Sequence, residues 1–166
     1  MKEIKIQDFN ENVFKLIGDD WLLINSYNEE KVNSMTASWG GLGFLWNKNV
    51  AYIFVRPQRY TQELLPNNEY FSISVLGEEF RKELNYLGSA SGRDEDKLEK
   101  AGLTIEKDEN GAPILKEARL NIMVKKLLCQ QFSEESFIEK SLVDKHYPNK
   151  DFHYMYVVEV LKIIEN

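Results

Sequence analysis

The chain has 166 residues, 43% hydrophobic and 29% charged, which suits a single globular domain with a sizeable buried core. Its formal charge of −6 argues against a nucleic-acid partner, which needs a basic face, but leaves room for a small cationic pocket. Cys129 is the only cysteine, so no intrachain disulfide framework exists and a reducing compartment is expected.

The first ten residues are charged and short of apolar content, so no signal peptide is expected. No apolar run approaches the length of a bilayer span. The expectation is one cytoplasmic domain over 1–166, with no membrane partner. Phe9, Val13, Phe14, Leu16 and Ile17 recur at roughly helical spacing, with Asp8 or Asn10 as N-cap and Gly18 as stop. Trp21–Asn25 reads as a short buried strand, and Asn28, Glu29 and Glu30 supply a turn, so Trp21–Ala37 is predicted as an antiparallel hairpin. The glycine-punctuated stretch 39–49 is too polar and broken for a regular element. Val50–Val55, β-branched and aromatic, fits a central strand that Pro57 ends. Thr61 is placed to cap a short helix, Gln62–Leu65, closed by Pro66.

Tyr70–Leu76 alternates, with Phe71, Ile73 and Val75 on one face and Ser72 and Ser74 on the other, the pattern of a half-buried strand. Glu78–Leu87 is an amphipathic helix through Phe80, Leu84 and Leu87; Gly88–Arg93 is a small-residue loop. Asp94–Ala101 reads as a short helix with acidic residues in its first turn, and Gly102 closes it. After a turn over 110–113 comes a long strand, Ala118–Phe132, in which Lys125 and Lys126 mark a bulge. Ser136–Leu142 is a short helix or turn, and His153–Ile164 a closing strand. Several antiparallel strands with helices at their edges predict a closed or partly closed barrel.

Residues suited to chemistry concentrate in Val32–Thr61. The stretch opens on Asn33, Ser34, Thr36 and Ser38, passes through Trp39, Gly40, Gly41, Gly43, Phe44 and Trp46, and ends on Arg56, Pro57, Arg59, Tyr60 and Thr61. Two guanidiniums, a hydroxyl and the N–H groups of a turn make an anion site; the alternative is a solvated corner after a strand. Gly88–Arg93, with Asp96 and Lys97 behind it, is a second anion candidate, because glycines permit close approach while Ser91, Arg93 and Lys97 donate. The alternative there is a flexible connector. A ligand with a flat conjugated ring and a phosphate would need this combination. His153 either lines a pocket mouth, as donor or acid beside a redox ring, or is a polar strand-edge side chain; His146 reads as surface loop. Trp39, Phe44 and Trp46 either stack on a planar cofactor or serve core or subunit contact. Cys129 reads as a small buried or half-buried residue. Two histidines and one cysteine far apart give no zinc-type spacing, so no metal site is expected, and no nucleophile–base order stands out.

Four motifs occur in order over roughly residues 20 to 160: Asn33-x-Met35-Thr36-Ala37-Ser38-Trp39; Arg56-x-x-Arg59-Tyr60-Thr61; Ser91-Gly92-Arg93-x-x-Asp96-Lys97 with Gly102-Leu103; and His153 with Glu159-Val160. Together they resemble the flavin reductase-like, FMN-binding split-barrel family. The stretch 38–47 is similar to the variant in flavoredoxin-like members, while Val158 stands where the family commonly has glycine. The resemblance implies a mainly β fold with peripheral helices, a six-stranded antiparallel Greek-key split barrel, acting as a homodimer with FMN, rather than FAD, near the interface. It implies that Thr36, Ala37, Ser38 and Trp39 run along the isoalloxazine and ribityl, with Asn33 and Met35 in the same binding set. Arg56, Arg59, Tyr60, Thr61 and Lys97 would lie nearest the phosphate, Ser91, Gly92 and Arg93 would border it, and His153 would stand near the ring face where a nicotinamide enters. The implied activity is an oxidoreductase passing electrons from NAD(P)H or a redox protein through FMN. A carrier with no NAD(P)H activity of its own, and a barrel binding some other ligand or partner, are the alternatives.

Overall fold

The structure, a computed structural model, describes residues 1–166. In chain order, β1 (Lys2–Ile4) and the short helix α1 (Val13–Lys15) lead to a first hairpin, β2 (Leu22–Tyr27) and β3 (Val32–Ala37). A second hairpin, β4 (Gly40–Leu45) and β5 (Lys48–Val55), is followed by α2 (Tyr60–Leu64) and β6 (Tyr70–Val75). Helices α3 (Arg81–Ser89) and α4 (Lys97–Lys100) precede a small hairpin, β7 (Ile105–Lys107) and β8 (Pro113–Leu115). Long β9 (Leu120–Gln131), α5 (Ser141–His146) and β10 (Tyr154–Glu165) complete the chain. No helix is long and apolar enough to cross a membrane.

One antiparallel sheet runs β3-β2-β6-β9-β10-β5-β4, with β1 added along β10. Strands β6, β9 and β10 follow one another and β5 returns beside β10, a Greek-key order. The six strands read from the sequence are β2, β3, β5, β6, β9 and β10; β1 and β4 extend that set. The two ends of the path, β3 and β4, are consecutive in the chain and separated only by Ser38 and Trp39. So short a link spans at most about 11 Å, so the sheet curls until its ends meet. They do not pair, which leaves a seam between them. Inside the curl lie Leu22, Ile24, Ile53, Phe71, Ile122, Tyr156 and their neighbours. Val158 is buried among them, away from the cavities described below.

Strand β4 departs from the expected irregular loop. Gly40, Gly41 and Gly43 weaken strand propensity, yet they let β4 lie close on β5: a Cβ at Gly40 would fall 2.9 Å from the Tyr52 carbonyl oxygen. The hairpin turns on Trp46 and Asn47, both at positive φ (54° and 57°), as a two-residue tip requires. The first helix also differs. Its cap is Asn12, whose side chain accepts from the Phe14 and Lys15 N–H groups, and its turns widen over 16–20 past Gly18. Arg59, not Thr61, precedes α2 as N-cap, and Thr61 is buried. Gly88 and Ser89 belong to α3, and α4 starts at Lys97 on an Asp96 cap. The β9 bulge falls on Leu127, one residue beyond the lysine pair. Helix α5 lies later than expected, and Cys129 is exposed.

Ser72 and Ser74 do not face water. Hairpin β7–β8 covers that face of β6, and a polar layer fills it. Asn25 Nδ2 donates to Ser72 Oγ (2.9 Å) and Ser74 Oγ (2.7 Å), and Ser74 Oγ donates to Asn121 Oδ1 (2.7 Å). Asn121 Nδ2 donates to the Leu115 carbonyl (2.9 Å), and its Oδ1 accepts from the Leu115 N–H (3.0 Å). Beside this layer Leu23, Leu76, Leu84, Leu87, Leu98 and Leu103 seat α3 and α4 against the barrel. Replacing Asn121 by alanine strands several buried partners at once, each costing about 1–3 kcal/mol. Urea denaturation is expected to show Asn121→Ala destabilised by about 3 kcal/mol or more, whereas Ser89→Ala, on an exposed helix face, stays within about 0.5 kcal/mol of the parent.

Candidate functional site

Two adjoining cavities open where β3 runs into the seam. The first, about 290 Å³, is lined by Met35, Thr36, Ala37, Ser38, Trp39, Phe54, Arg56, Arg59 and His153. The second, about 180 Å³, is lined by Asn33, Met35, Gln58, Arg59, Tyr60, Thr61, Ser89, Ala90, Ser91, Gly92, Arg93 and Lys97. Met35 and Arg59 belong to both. Every residue that the resemblance assigned to the site lines one cavity or the other, whereas Ser34, Phe44, Trp46 and Asp96, also raised as candidates, line neither. Phe54 and Gln58 were not singled out, and Ser89 and Ala90 entered only as members of the candidate segment Gly88–Arg93. Gln58 was readable from its place between the two arginines; Phe54 gave no sign beyond a strand alternation. Roomier hollows of about 420 and 480 Å³ lie elsewhere, walled mainly by charged side chains of both signs. Of the buried acidic and basic side chains Asp20, Lys97 and His153, Asp20 is paired with Lys15 and Arg119, and the other two face the seam cavities.

The second cavity is cationic and uncompensated. Lys97 is 4% exposed, and its Nζ donates to the Leu87 carbonyl at 2.8 Å. Arg59 Nη1 donates to the Gly88 carbonyl at 2.8 Å. Both thus tie down carbonyls at the end of α3 that have no helical partner. Neither cation is bonded to a carboxylate: Glu63 is taken by Arg93, and Glu95, which acts on Lys97 only through its charge, is taken by Lys100. Burial, then the charge of Arg59, pushes the Lys97 amine down to about 8, and burial also lowers Arg59. Asn33 Nδ2 donates to Thr61 Oγ1 at 3.0 Å, which leaves Asn33 Oδ1 as a buried acceptor without a partner. Gly92 closes over it: an added Cβ would fall 2.0 Å from that oxygen and 3.0 Å from the Tyr60 ring. Lys31, which sequence reasoning missed, donates to the Gly92 carbonyl and sits 5.1 Å from the Tyr60 ring centroid. Arg93 also lies over Tyr60 and donates to Glu63 and the Gln58 carbonyl.

The first cavity is aromatic. His153 is 6% exposed, with its Nδ1 2.8 Å from the Tyr147 hydroxyl and its ring 5.3 Å from that of Trp39. Burial first, then the Arg56 charge, pushes the imidazole down to about 4. It is therefore neutral near pH 7, not the acid its bare residue type allowed. Arg56 does not join Arg59 at one anion. Its Nη1 donates to Asp151 Oδ2 (2.7 Å), its Nη2 to the His146 carbonyl (2.9 Å), and it lies 5.1 Å over the Tyr147 ring, bracing the segment 146–151. The Thr36 hydroxyl is committed as well, donating to the Leu84 carbonyl at 2.6 Å. What β3 offers instead is backbone: it is an edge strand, so alternate N–H and C=O groups point away from β2. His146 is no surface loop residue; it ends α5 half-buried, edge-on to Trp39 at 5.5 Å. All three aromatics of the glycine stretch are exposed; only Trp39 lines a cavity, while Phe44 and Trp46 stand on the β4–β5 hairpin.

The profile of the family described as "Flavin reductase like domain" matches residues 22–161. No curated protein matches the chain. Among solved structures the chain is similar to flavoredoxin from Methanosarcina acetivorans, with 23% identity and a TM-score of 0.71 over 100% of this chain and 76% of that one. It is similar to an FMN-binding protein from Thermus thermophilus, with 22% identity and a TM-score of 0.71 over 100% of this chain and 82% of that one. Flavoredoxin of Desulfovibrio vulgaris (Miyazaki F) gives 19% identity and a TM-score of 0.69 over 98% and 77%. At such identities these structures speak for a shared split-barrel fold. The family profile, in contrast, runs from the first strand of the barrel into its last, and on that match the chain belongs to the flavin reductase-like family.

Proposed function

We propose that the chain is an FMN-dependent oxidoreductase that holds the cofactor across the two cavities and passes electrons from NAD(P)H or a redox protein to an acceptor. The observation that carries this reading is the pair of buried Lys97 and half-buried Arg59, two cations that share a small cavity with no carboxylate bonded to either. A buried cation without an anion is costly, and a phosphate dianion supplies the missing charge in the geometry that guanidinium and ammonium groups favour. Asn33 Oδ1 lies beside them as a buried acceptor that no group of the chain satisfies, roofed by Gly92. Met35 bridges to the first cavity, whose Trp39 and Phe54 suit a flat ring. The residues present therefore fit FMN.

When bound, FMN supplies a redox-active ring that no side chain of the chain offers. The chain's own part is to bind, orient and exclude water. Lys97, Arg59, Thr61 and the 91–93 turn hold the tail, and the free edge of Thr36–Ser38 aims N–H donors where negative charge develops. Trp39 and Phe54 shut out solvent. A homodimer in the cytoplasm completes the proposal. Phe44 and Trp46, 68% and 54% exposed next to the seam, supply apolar area for a second copy. A carrier that uses no pyridine nucleotide is the second reading, favoured by Trp39, which lodges against His146 and His153 and takes up wall space that a nicotinamide ring needs.

Purified protein is expected to quench FMN fluorescence on titration, and anaerobic NADH or NADPH is expected to bleach the bound yellow chromophore. A yellow spectrum unchanged by either nucleotide selects the carrier; absence of quenching selects a barrel for another ligand. Loss of a charge-assisted hydrogen bond costs about 1.5–3 kcal/mol, so Arg59→Ala and Lys97→Met are each expected to weaken FMN binding by about 10- to 150-fold while leaving riboflavin binding close to the parent. Equal FMN affinity in parent and variants refutes the phosphate assignment. Arg56→Ala, whose partner is Asp151, is expected to cost less FMN affinity than Arg59→Ala.

His153 gives a pH test of the fold. Between its ordinary value of 6.5 and about 4, the unfolded chain takes up a proton that the folded chain refuses. Stability is therefore full above pH 6.5, falls on acidification through that window, and levels off below it for this group, a loss on the order of 3 kcal/mol. Denaturation midpoints of the parent and His153→Gln across pH 4–7 are expected to show that slope flattened in the variant.

A further inference from the structure

His153 and Tyr147 form a hydrogen-bonded pair that holding a cofactor does not by itself require. The Tyr147 hydroxyl meets His153 Nδ1 at 2.8 Å and has no other hydrogen-bond partner. Around the pair stand rings that offer it no hydrogen bond, with Phe137 and Phe152 against Tyr147 and Trp39 against His153. Only one arrangement of protons satisfies both groups. Were Nδ1 to carry the imidazole proton and donate it to the tyrosine oxygen, the buried Tyr147 proton would have no acceptor, and an unmade buried bond carries the full cost of desolvation. With Tyr147 donating to Nδ1, both groups are satisfied and the imidazole proton sits on Nε2. Nε2 makes no hydrogen bond to the protein. It is also absent from the sealed, unpartnered polar atoms, which are Asn33 Oδ1, Tyr86 Oη and Asp151 Oδ1, so it reaches the cavity that His153 lines.

We propose that Tyr147 is a positioning residue that locks His153 as its Nε2–H tautomer, so that the imidazole presents an N–H donor to the first cavity and favours ligands with a carbonyl or comparable acceptor oxygen there. The ligand preference rests on the cofactor-holding role proposed above; the tautomer does not. The surroundings keep the lock in one state. Burial holds the Tyr147 proton in place. Burial also opposes a second proton on the ring, and the charges of Arg56 and His146 act in the same sense. Asp151 pulls the other way, but its Oδ2 is engaged by Arg56 and Gln58. Arg56 further braces the turn that carries Tyr147, through the His146 carbonyl and the tyrosine face.

The test is a long-range ¹H–¹⁵N correlation spectrum of the whole chain labelled with ¹⁵N-histidine. The chain has only two histidines, so His146→Gln assigns both. At pH 7 His153 is expected to show a protonated Nε2 and an unprotonated Nδ1, and in Tyr147→Phe both nitrogens shift toward the average of mixed tautomers. A proton on Nδ1 in the parent overturns the proposal, as does an unchanged pattern in Tyr147→Phe. If that variant does not fold, the parent spectrum alone decides. With FMN bound, acetophenone is expected to move the Nε2 proton resonance and toluene to leave it in place; equal response to both overturns the ligand preference. Should FMN not bind while Nε2 carries the proton, the proposed function fails and the Tyr147 lock stands.

Discussion

A two-residue link, Ser38–Trp39, ties together the opposite ends of the main sheet, and the rest of the molecule follows from that tether. A sheet whose ends are held this close has to curl, and the curl encloses the apolar faces of β2, β5, β6, β9 and β10. β3 and β4 do not pair across that tether, so β3 keeps a free edge at the one place where the barrel wall is incomplete. Both cavities open there, and both draw on β3 itself, through Met35 for the two and Asn33 or Thr36–Ser38 for one each. An edge strand is ordinarily a liability for aggregation. Here α3 and α4 sit against part of it, with the Thr36 hydroxyl bound to the Leu84 carbonyl and Gly88 3.3 Å from Thr36 Cβ once a methyl is imagined there.

The helix α3 supplies the second element of the site by ending where it does. Its last carbonyls are claimed by Arg59 and Lys97, cations at the negative end of a helix dipole. These bonds keep two charges indoors that water would otherwise solvate. The arrangement is incomplete on its own, since carbonyl dipoles satisfy hydrogens without cancelling net charge. That shortfall is the ground for proposing an anion in the second cavity. The first cavity differs in kind: the guanidinium it does not share, Arg56, is spent on Asp151, its histidine is neutral, and rings stand in its walls. One molecule offering both a charged end and a flat end matches the two together.

The sequence made much of the barrel legible, through strict alternation in β6 and through β-branched and aromatic content in β5 and β10. It failed where a local rule met a non-local partner. The glycines of β4 read as irregular because their ladder with β5 and the close approach to Tyr52 lie outside any local window. Ser72 and Ser74 read as solvent-facing since polarity alone does not separate water from a buried layer made by Asn25 and Asn121. Among the site residues, small and cationic types near glycine were enough to pick out Arg59, Gly92 and Lys97. The same types made Arg56 look equivalent to Arg59, because its partner Asp151 is remote in sequence. Tyr147 left no trace at all; its role exists only once the turn at 147–153 places its hydroxyl on an imidazole.

The depressed basicity of Lys97 couples two quantities that are usually treated apart. At a pH near 8 its amine is protonated about half the time, and a doubly charged guest settling beside it pulls that occupancy toward one. Capture of the guest and uptake of a hydrogen ion from the medium then become a single thermodynamic event, and the heat of association acquires a contribution from whichever buffer surrenders the proton.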